Sequence, residues 1–298
     1  MIYIIIVIYN NDDKIKKIIK NLYNATNKLL FQLILVDNAS HNKVYDILSS
    51  ENAQFADAIV FTSEKNLGYA GGNNIALRYC LDRVSEQDVL LILNPDVDLS
   101  TGSLAGLYNL LMKYPECAAI SPNILDGDNF YLDRLRSLSW LNQSYKNITS
   151  KLASVDRLPG CCMMIRPSSL NSIGLLDENY FLYWEEIDWS LRALRKKYKL
   201  FIARDIVAKH KSNDENLKIY RIYYMWRNLF YFARKAYGPI WVLFLLRRLF
   251  LSNSREILSY WARGQKNCVR ASLAGLWAGL HGEIGQSQNR YADVNWQQ

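Results

Sequence analysis

The sequence predicts an α/β fold in which a Rossmann-like, mostly parallel sheet is flanked by helices and followed by a C-terminal helical extension. Three observations predict it. Short apolar runs alternate with segments of helical periodicity from Ile2 to Leu93. These runs are apolar at nearly every position, which is typical of strands covered on both faces of a parallel sheet. Each run also ends in polar residues, and such sheets bind ligands at the carboxyl ends of their strands.

The first half of the chain has the most regular pattern. The apolar, β-branched run at 2–9 predicts the first strand, and apolar spacing along one face predicts a helix from Lys14 to Leu30. Similar patterns predict strands at 32–36, 58–62 and 89–93 and helices at 44–50 and 75–81. A glycine-rich loop is predicted at 66–74, directly before the last of these helices.

The second half is less regular. We expect a helix at 104–112, a strand at 118–121 and a turn that enters a strand at 158–166. A further helix begins near Glu185, and two short strands are predicted at 200–203 and 206–208. We therefore expect a catalytic domain at 1–215 and a basic, amphipathic helical extension at 216–298.

Composition supports this division. Half of the 298 residues are hydrophobic, which provides a large core and disfavours disorder. Five cysteines without metal-site spacing are typical of a reducing cytosol. The apolar start lacks the basic flank of a secretion signal. Residues 1–188 hold 16 Lys and Arg against 22 Asp and Glu, whereas residues 189–298 hold 20 against 6.

Two carboxylates follow the strand at 89–93. Asp96 and Asp98 alternate with Val97, so in an extended backbone both project to the same side. Carboxylate oxygens suit Mg²⁺ or Mn²⁺, whose remaining positions take substrate phosphates. His210 ends the last predicted strand and can supply an imidazole to the same ion. An isolated Asp-x-Asp also fits a solvated turn, and a lone histidine is more often structural.

The glycine-rich segment excludes two common nucleotide sites. It is neither G-x-G-x-x-G nor a Walker loop, which disfavours a dinucleotide dehydrogenase and a P-loop kinase. Gly71 and Gly72 would allow a ligand to approach the backbone closely at a helix start. A plain junction between loop and helix is the alternative.

An acidic cluster begins a predicted helix at Glu185, Glu186 and Asp188, beside Trp184 and Trp189. Acidic residues in a first turn suit the helix dipole, which is the simpler explanation. Three acids within four residues are denser than capping requires. A carboxylate in apolar surroundings has a raised pKa, which is useful in a general base.

The basic extension interleaves aromatic and basic residues from Tyr220 to Leu251, and Gly238-Pro239 should break its helix. Its uninterrupted apolar run is shorter than the roughly 20 residues that span a bilayer. We expect helices that lie in the plane of an anionic membrane surface. Packing on the catalytic domain or on a second subunit, as in a homodimer, is the alternative.

Seven segments, taken in this order, resemble the inverting glycosyltransferases of family 2, which have the GT-A fold. The resemblance is greatest to the bacterial branch of rhamnosyl- and galactofuranosyl-transferases. The matching segments lie at 7–10, 35–40, 66–74, 94–98, 158–161 and 181–192 and at His210.

The resemblance implies roles for these residues. Asp37 would accept a hydrogen bond from the pyrimidine ring of a nucleotide sugar. The other residues expected along the donor are Tyr9, Asn10, Asn66, Gly71, Gly72, Asn73, Asn74 and Asp96. Asp96 and Asp98 would be the family's DxD motif, with Asp98 the firmer ligand of Mg²⁺ or Mn²⁺ and His210 completing the metal site.

The resemblance also implies a base. Many relatives read Glu-Asp-x-Asp where this chain reads Glu185-Glu186-Ile187-Asp188, so Glu186 takes the usual Asp position. Glu186 is the predicted base and Glu185 the second candidate, while Asp188 would orient the acceptor or the helix. The implied reaction is a single displacement that inverts the configuration of the sugar.

The expected function is transfer of a sugar to a glycan or polyprenyl-linked acceptor in bacterial surface polysaccharide synthesis. The donor would be dTDP-rhamnose or another dTDP- or UDP-activated sugar. The enzyme would be cytoplasmic and peripheral on the inner membrane. One alternative is a nucleotide-sugar-binding module without turnover. A nucleic-acid-binding protein is a weaker alternative, because no such motif is present and the excess charge avoids the predicted crevice.

Overall fold

The computed structural model describes residues 1–10, 12–41, 57–134, 145–149, 151–210, 215–248 and 254–292. These residues form two compact units. Unit 1 comprises Met1–Leu67, Gly71–Leu176 and Trp189–Ser212, and unit 2 comprises Gly68–Ala70, Asp177–Asp188 and Asn213–Gln298. The predicted helix at 44–50 lies outside the described residues.

Unit 1 is built on an eleven-stranded sheet with the order β3-β2-β1-β4-β10-β6-β11-β9-β8, in which β5 pairs with β11 and β7 with β6. The strands are β1 Ile2–Ile8, β2 Phe31–Asp37, β3 Ile59–Thr62, β4 Val89–Leu93, β5 Val97–Leu99, β6 Cys117–Asp126, β7 Asn129–Phe130, β8 Tyr145–Thr149, β9 Leu152–Val155, β10 Cys162–Ile165 and β11 Lys199–His210.

The first four strands are parallel, as the alternating pattern predicts. β10 then enters antiparallel between β4 and β6, which makes the sheet mixed. The central strand β1 is buried along almost its whole length, because its isoleucines meet side chains on both faces of the sheet. Each fully buried Ile contributes roughly 1.5–3 kcal/mol through removal of apolar surface from water.

Six described helices accompany the sheet: α1 Asp12–Thr26, α2 Gly68–Leu81, α3 Ser103–Lys113, α4 Tyr131–Arg134, α5 Pro167–Ile173 and α6 Glu185–Arg195. The first residues of α2 and α6 belong to unit 2. α1 ends at Thr26, before its predicted end at Leu30. Directly after it, Asn27 and Lys28 adopt positive φ angles of 48° and 69°.

Two expectations about these elements are wrong. The glycine-rich segment is helical from Gly68, not a loop up to Asn74. Its glycines are needed for packing, because a Cβ at Gly71 or Gly72 would lie 2.7 Å from Leu67 or Val7. The two short strands near the end of unit 1 are one strand, β11, with an irregular register between Ala203 and Val207.

Unit 2 consists mainly of the C-terminal helices, which are α7 Glu215–Tyr237, α8 Trp241–Arg248, α9 Ser254–Ala262 and α10 Lys266–Leu280, with single 3₁₀ turns at Glu178–Tyr180, Gly238–Ile240 and Arg290–Ala292. The predicted break at Gly238-Pro239 is confirmed. α10 packs closely on α7, because a Cβ at Gly279 would lie 2.5 Å from the Phe230 ring.

Much of the aromatic and basic part of α7 faces the interior of unit 2. Tyr223, Tyr224, Arg227 and Phe230 are buried within unit 2. By length and composition alone, the stretch Lys218–Leu246 could cross a membrane. A buried core helix can have the same composition, so this feature is weak evidence for a span.

Candidate active site

The carboxyl ends of β1 and β2 are joined by a small hydrogen-bond network in unit 1. Asp37 ends β2, is buried, and accepts a hydrogen bond at Oδ1 from the Ser40 backbone N–H, 2.9 Å away. The Ser40 hydroxyl in turn accepts from the Asn10 backbone N–H at 3.1 Å. One residue after each of these strands has a positive φ angle, 51° at Asn10 after β1 and 67° at Ala39 after β2. The predicted donor residues Asn10 and Asp37 therefore belong to one hydrogen-bond network.

Asn38 connects this network to the segment after β3. Its backbone N–H donates to Ile8 O at 2.8 Å, and its side-chain Nδ2 donates to Asn66 Oδ1 at 3.0 Å. Its Oδ1 accepts from the Leu67 N–H at 2.9 Å. Sequence reasoning missed Asn38 as a site residue, although its place directly after Asp37 at a strand end was a usable signal. The network brings Asp37 and Asn66 together, as predicted.

Gly72 of α2 lies against the same strand ends. A Cβ at Gly72 would lie 2.7 Å from Val7 Cγ1 and 3.3 Å from Asn38 Nδ2. The space left by this glycine is therefore occupied by the protein itself. Contact of Gly71, Gly72 and the half-buried Tyr9 with a donor stays a prediction.

Asn73 and Asn74 are both buried. The Asn74 amide donates to Leu176 O at 2.9 Å and accepts from the Leu176 N–H at 3.2 Å. This pair of bonds fastens α2 to the segment before residue 177. Asn74 thus positions the helix, and its predicted contact with the donor stays a prediction.

The predicted metal ligands are partly assembled. His210 Nε2 lies 3.3 Å from Asp96 Oδ1, because β5 pairs with β11 and places Val97 opposite His210. Asp98 instead forms an ion pair with Lys17 of α1, with Nζ 2.9 Å from Oδ1. Among the described residues, no three His, Cys, Asp or Glu side chains converge as one metal site. The Asp96 carboxylate nonetheless fits Mg²⁺ or Mn²⁺ by its donor chemistry.

The acidic cluster at the start of α6 holds two different kinds of carboxylate. Glu185 is buried, and burial, followed by the nearby charge of Glu186, raises the pKa of Glu185 well above its ordinary value. No described residue donates a hydrogen bond to Glu185 Oε2. Glu186 keeps partial exposure to solvent.

Asp188 is part of a buried ion network in unit 2. Lys235 of α7 lies 2.9 Å from Asp188 and 2.6 Å from Asp177, and Tyr231 donates to Asp177 at 2.9 Å. Burial alone would raise the pKa of Asp177, but the Lys235 ammonium, with hydrogen bonds from Asn179 and Tyr231, holds that pKa below its ordinary value. Asp188 therefore fixes the start of α6 to α7, which fits its predicted orienting role.

Comparisons with known proteins identify the family of the chain. The profile of glycosyl transferase family 2 matches residues 3–174. A low-salt glycan biosynthesis hexosyltransferase, Agl10 of Haloferax volcanii, is 30% identical over 238 residues, which cover 76% of this chain and 73% of the relative. An N-acetylglucosaminyl-diphospho-decaprenol L-rhamnosyltransferase of Mycobacterium tuberculosis is 21% identical over 238 residues, covering 71% of this chain and 76% of the relative.

A solved structure supports the fold. The mannosyltransferase PcManGT of Pyrobaculum calidifontis, in complex with GDP-Man and Mn²⁺, superposes with a TM-score of 0.61 at 16% identity, covering 98% of this chain and 77% of that one. At this identity the likeness concerns the fold alone, and it confirms the predicted GT-A architecture. With a family profile over more than half of its length, the chain belongs to glycosyl transferase family 2.

Proposed function

We propose that the protein is an inverting, metal-dependent glycosyltransferase that moves rhamnose, or another sugar activated by dTDP or UDP, to a glycan or polyprenyl-linked acceptor in bacterial surface polysaccharide synthesis. The observation that carries the proposal is the network of Asp37, Asn38 and Asn66 at the carboxyl ends of parallel strands in a family 2 chain. The rhamnosyltransferase relative favours rhamnose and a lipid-linked acceptor.

Asp37 would recognise the base of the donor. A carboxylate offers about four lone-pair sites, so Asp37 can accept a pyrimidine ring N–H in addition to the Ser40 N–H. Its burial strengthens such a bond, because water competes less. Uracil and thymine present the same ring N–H, so this contact selects pyrimidines and does not separate UDP from dTDP.

Asp96 and His210 would hold Mg²⁺ or Mn²⁺, and Asp98 would join them once its carboxylate leaves Lys17. Such an ion, when bound, stabilises the negative charge on the departing nucleoside diphosphate. The Lys17 side chain is 60% exposed, so water can replace its contact with Asp98 at little cost.

Glu186 would act as the base. It removes the proton from an acceptor hydroxyl, whose oxygen then forms a bond to the anomeric carbon of the sugar. The bond from that carbon to the diphosphate oxygen breaks, and its electron pair leaves with the nucleoside diphosphate. Burial raises the pKa of Glu185 and so disfavours its charged form, whereas Glu186 is partly exposed to solvent, which favours Glu186 as the base. Asp188, engaged with Lys235, orients the helix that carries the base.

The exposed face of α8, α9 and α10 would attach the enzyme to the cytoplasmic face of the inner membrane. Trp261 and Trp277 are 74% and 67% exposed, and Trp residues favour the membrane interface. Other large apolar side chains exposed there are Val242, Leu243, Leu246, Leu258, Leu273 and Leu280. Exposed basic residues of these helices and of the turn between α9 and α10 suit anionic lipid; they are Arg255, Arg263, Lys266 and Arg270.

Flotation with anionic vesicles tests this attachment. Replacing Trp261 and Trp277 by Ser should release the protein from the vesicles without loss of folding. Equal flotation of the double variant, or no flotation of the unaltered protein, would contradict the proposal. A concentration-dependent homodimer measured by light scattering, lost in the same variant, would assign this face to a second subunit instead.

Transfer assays test the reaction. A thermal-shift panel of nucleotide sugars with and without Mn²⁺ should show stabilisation by one pyrimidine class. With that donor, Asp98→Ala and Glu186→Gln should each lower the rate of transfer at least about 100-fold, whereas the exposed Asp128→Ala control should retain it. Donor binding without transfer or hydrolysis in the unaltered protein would favour a binding module. Near-normal turnover in both variants would overturn the residue assignment.

A further inference from the structure

The loop that leads into the acidic cluster has an unusual backbone. Phe181, Tyr183 and Trp184 have φ angles of 63°, 66° and 82°, although none is glycine. A left-handed conformation costs an L-residue roughly 1–2 kcal/mol, and it persists only where surrounding contacts enforce it. Glu185 follows this loop directly, so the contacts that hold the loop also set where Glu185 and Glu186 start.

Asn228 of α7 supplies most of these contacts. Its Nδ2 lies 3.0 Å from Tyr180 O, 2.8 Å from Leu182 O and 2.9 Å from Tyr183 O. The side chain is buried within unit 2. The inverted loop turns several carbonyls towards one point, and buried carbonyls need a donor. The side-chain amide of Asn228 provides two N–H donors at that point.

Arg227 completes the arrangement. Its Nη2 donates to Tyr180 O at 2.8 Å, and its Nε donates to Asn228 Oδ1 at 2.9 Å. The second bond fixes the amide so that its Nδ2 faces the loop. Nη1 donates to Gly285 O at 2.6 Å, and the guanidinium lies 4.5 Å from the centre of the Tyr224 ring.

The burial of Arg227 requires a reason. Burial lowers the pKa of its guanidinium, and within the described part of the chain no carboxylate forms an ion pair with it. A buried charge is costly unless its hydrogen bonds are satisfied. Here they are directed to carbonyls and an amide oxygen, including one carbonyl of the strained loop. The free-energy cost of burying Arg227 is explained if the conformation of the loop is required for function.

Two further contacts bracket the carboxylates. Trp184 Nε1 donates to Met225 O at 3.0 Å, just before Glu185. Lys235 pairs with Asp188 just after Glu186, and it lies two helical turns beyond Asn228 on the same side of α7. One face of α7 therefore holds both ends of the segment that carries Glu185 and Glu186.

We propose that Arg227 and Asn228 are positioning residues for the base: they hold loop 180–184 so that Glu186 is aimed at the acceptor hydroxyl. The inference rests on the proposed function, because it takes Glu186 as the base. It assigns to α7 a part in the reaction that composition and charge alone do not suggest.

Three variants test this role. Asn228→Asp keeps the shape but replaces the donor with a carboxylate facing three carbonyls, and Arg227→Lys keeps the charge but loses the bond that fixes the amide. Arg234→Ala is the matched control, since Arg234 lies on the same helix and contacts Leu280 O and the Trp241 ring. Misplacement of a reacting group by about 1 Å lowers turnover about 100-fold.

The readouts separate positioning from general stability. Below the unfolding temperature of each protein, Asn228→Asp and Arg227→Lys should lower kcat about 100-fold while the donor Kd, measured by calorimetry, changes less than about twofold. The control should keep both values. A kcat per folded enzyme equal to that of the unaltered protein would show that the contacts only stabilise the fold, and it would overturn the proposal.

A double-mutant cycle separates this proposal from the proposed function. If Asn228 acts through Glu186, adding Asn228→Asp to Glu186→Gln should cause almost no further loss of kcat. Additive losses would overturn the positioning role and leave Glu186 as base. Full activity of Glu186→Gln alone would instead overturn the base assignment. Should Asn228→Asp fail to fold, the same cycle is run with Arg227→Lys.

Discussion

The strand ends of unit 1 and the acidic segment of unit 2 are held in place in different ways. Around Asp37, short-range turns and the amide of Asn38 connect neighbouring strands. Around Glu185, a strained loop and a helix start are held by residues of α7 that lie 41 to 48 positions away in the chain. The first arrangement follows from the local pattern of a parallel sheet. Both use contacts between residues far apart in the chain, but no strand pairing brings α7 to the loop, so the second arrangement is more sensitive to single substitutions.

The largest expected effect on stability comes from Lys235. Lys235→Met removes the cation that Asp177 and Asp188 share, although both carboxylates are nearly buried. We expect a loss of roughly 2–4 kcal/mol in the free energy of unfolding, somewhat below the value for a fully buried pair because Lys235 is 34% exposed. Urea denaturation measures it.

Lys199→Met is the matched control for this variant, because Lys199 pairs with Glu116 on the surface. Such exposed pairs contribute little to stability, because water competes for both charges. A loss no greater for Lys235→Met than for Lys199→Met would show that the network around Asp188 is not a structural anchor.

The next effect concerns pH. The pKa of Glu185 is raised in the folded protein by burial and by Glu186, so the folded state holds a proton that the unfolded chain has released. Stability should therefore fall as pH rises from the ordinary glutamate pKa of about 4.3 towards the folded pKa. Glu185→Gln should remove this loss and raise stability at neutral pH, as measured by denaturation at several pH values.

Glu116→Gln is the control, because the pKa of Glu116 is shifted in the opposite direction. A hydrogen bond from its own backbone N–H and the contact with Lys199 lower the pKa of Glu116, so this replacement should not remove the decline. An unchanged pH dependence in Glu185→Gln would mean that Glu185 is not the group responsible.

The smallest expected effect lies on the unit 1 side. Lys17→Met frees Asp98 from its ion pair and should tighten binding of Mn²⁺ severalfold, because an exposed pair is worth at most about 1 kcal/mol. Titration calorimetry with Mn²⁺ alone measures it. Lys20→Met, on the same helix and exposed, is the control. Equal Mn²⁺ affinity in all three proteins would argue against Asp98 as a ligand.

Much of the fold could be predicted from the sequence because it rests on local patterns. Apolar runs and helical periodicity located β1, β2 and β4 and their order along the chain. The start of α2 at Gly68 was not predicted, because Gly71 and Gly72 are poor helix formers and only their packing on Leu67 and Val7 explains them. The continuity of β11 was hidden by its irregular register.

The two parts of the candidate site were not equally predictable. Asp37 and Asn66 follow strands and share a network, as expected from their positions. The basic extension was expected to lie on a membrane or to pack on protein, and its residues Arg227 and Lys235 make their contacts within unit 2. Helical periodicity identifies a helix, yet it cannot tell which distant loop covers each face. Nothing local relates Asn228 to Tyr180, Leu182 and Tyr183.

The central claim is that donor binding and base catalysis reside in these two separate clusters. The most direct test compares Asp37→Asn with Glu186→Gln in steady-state transfer and in donor-binding calorimetry. Asp37→Asn should raise the donor Kd about tenfold, the difference between a charged and a neutral hydrogen bond, whereas Glu186→Gln should lower kcat at least about 100-fold with the donor Kd unchanged. Loss of donor binding in Glu186→Gln, or full turnover in it, would contradict the account.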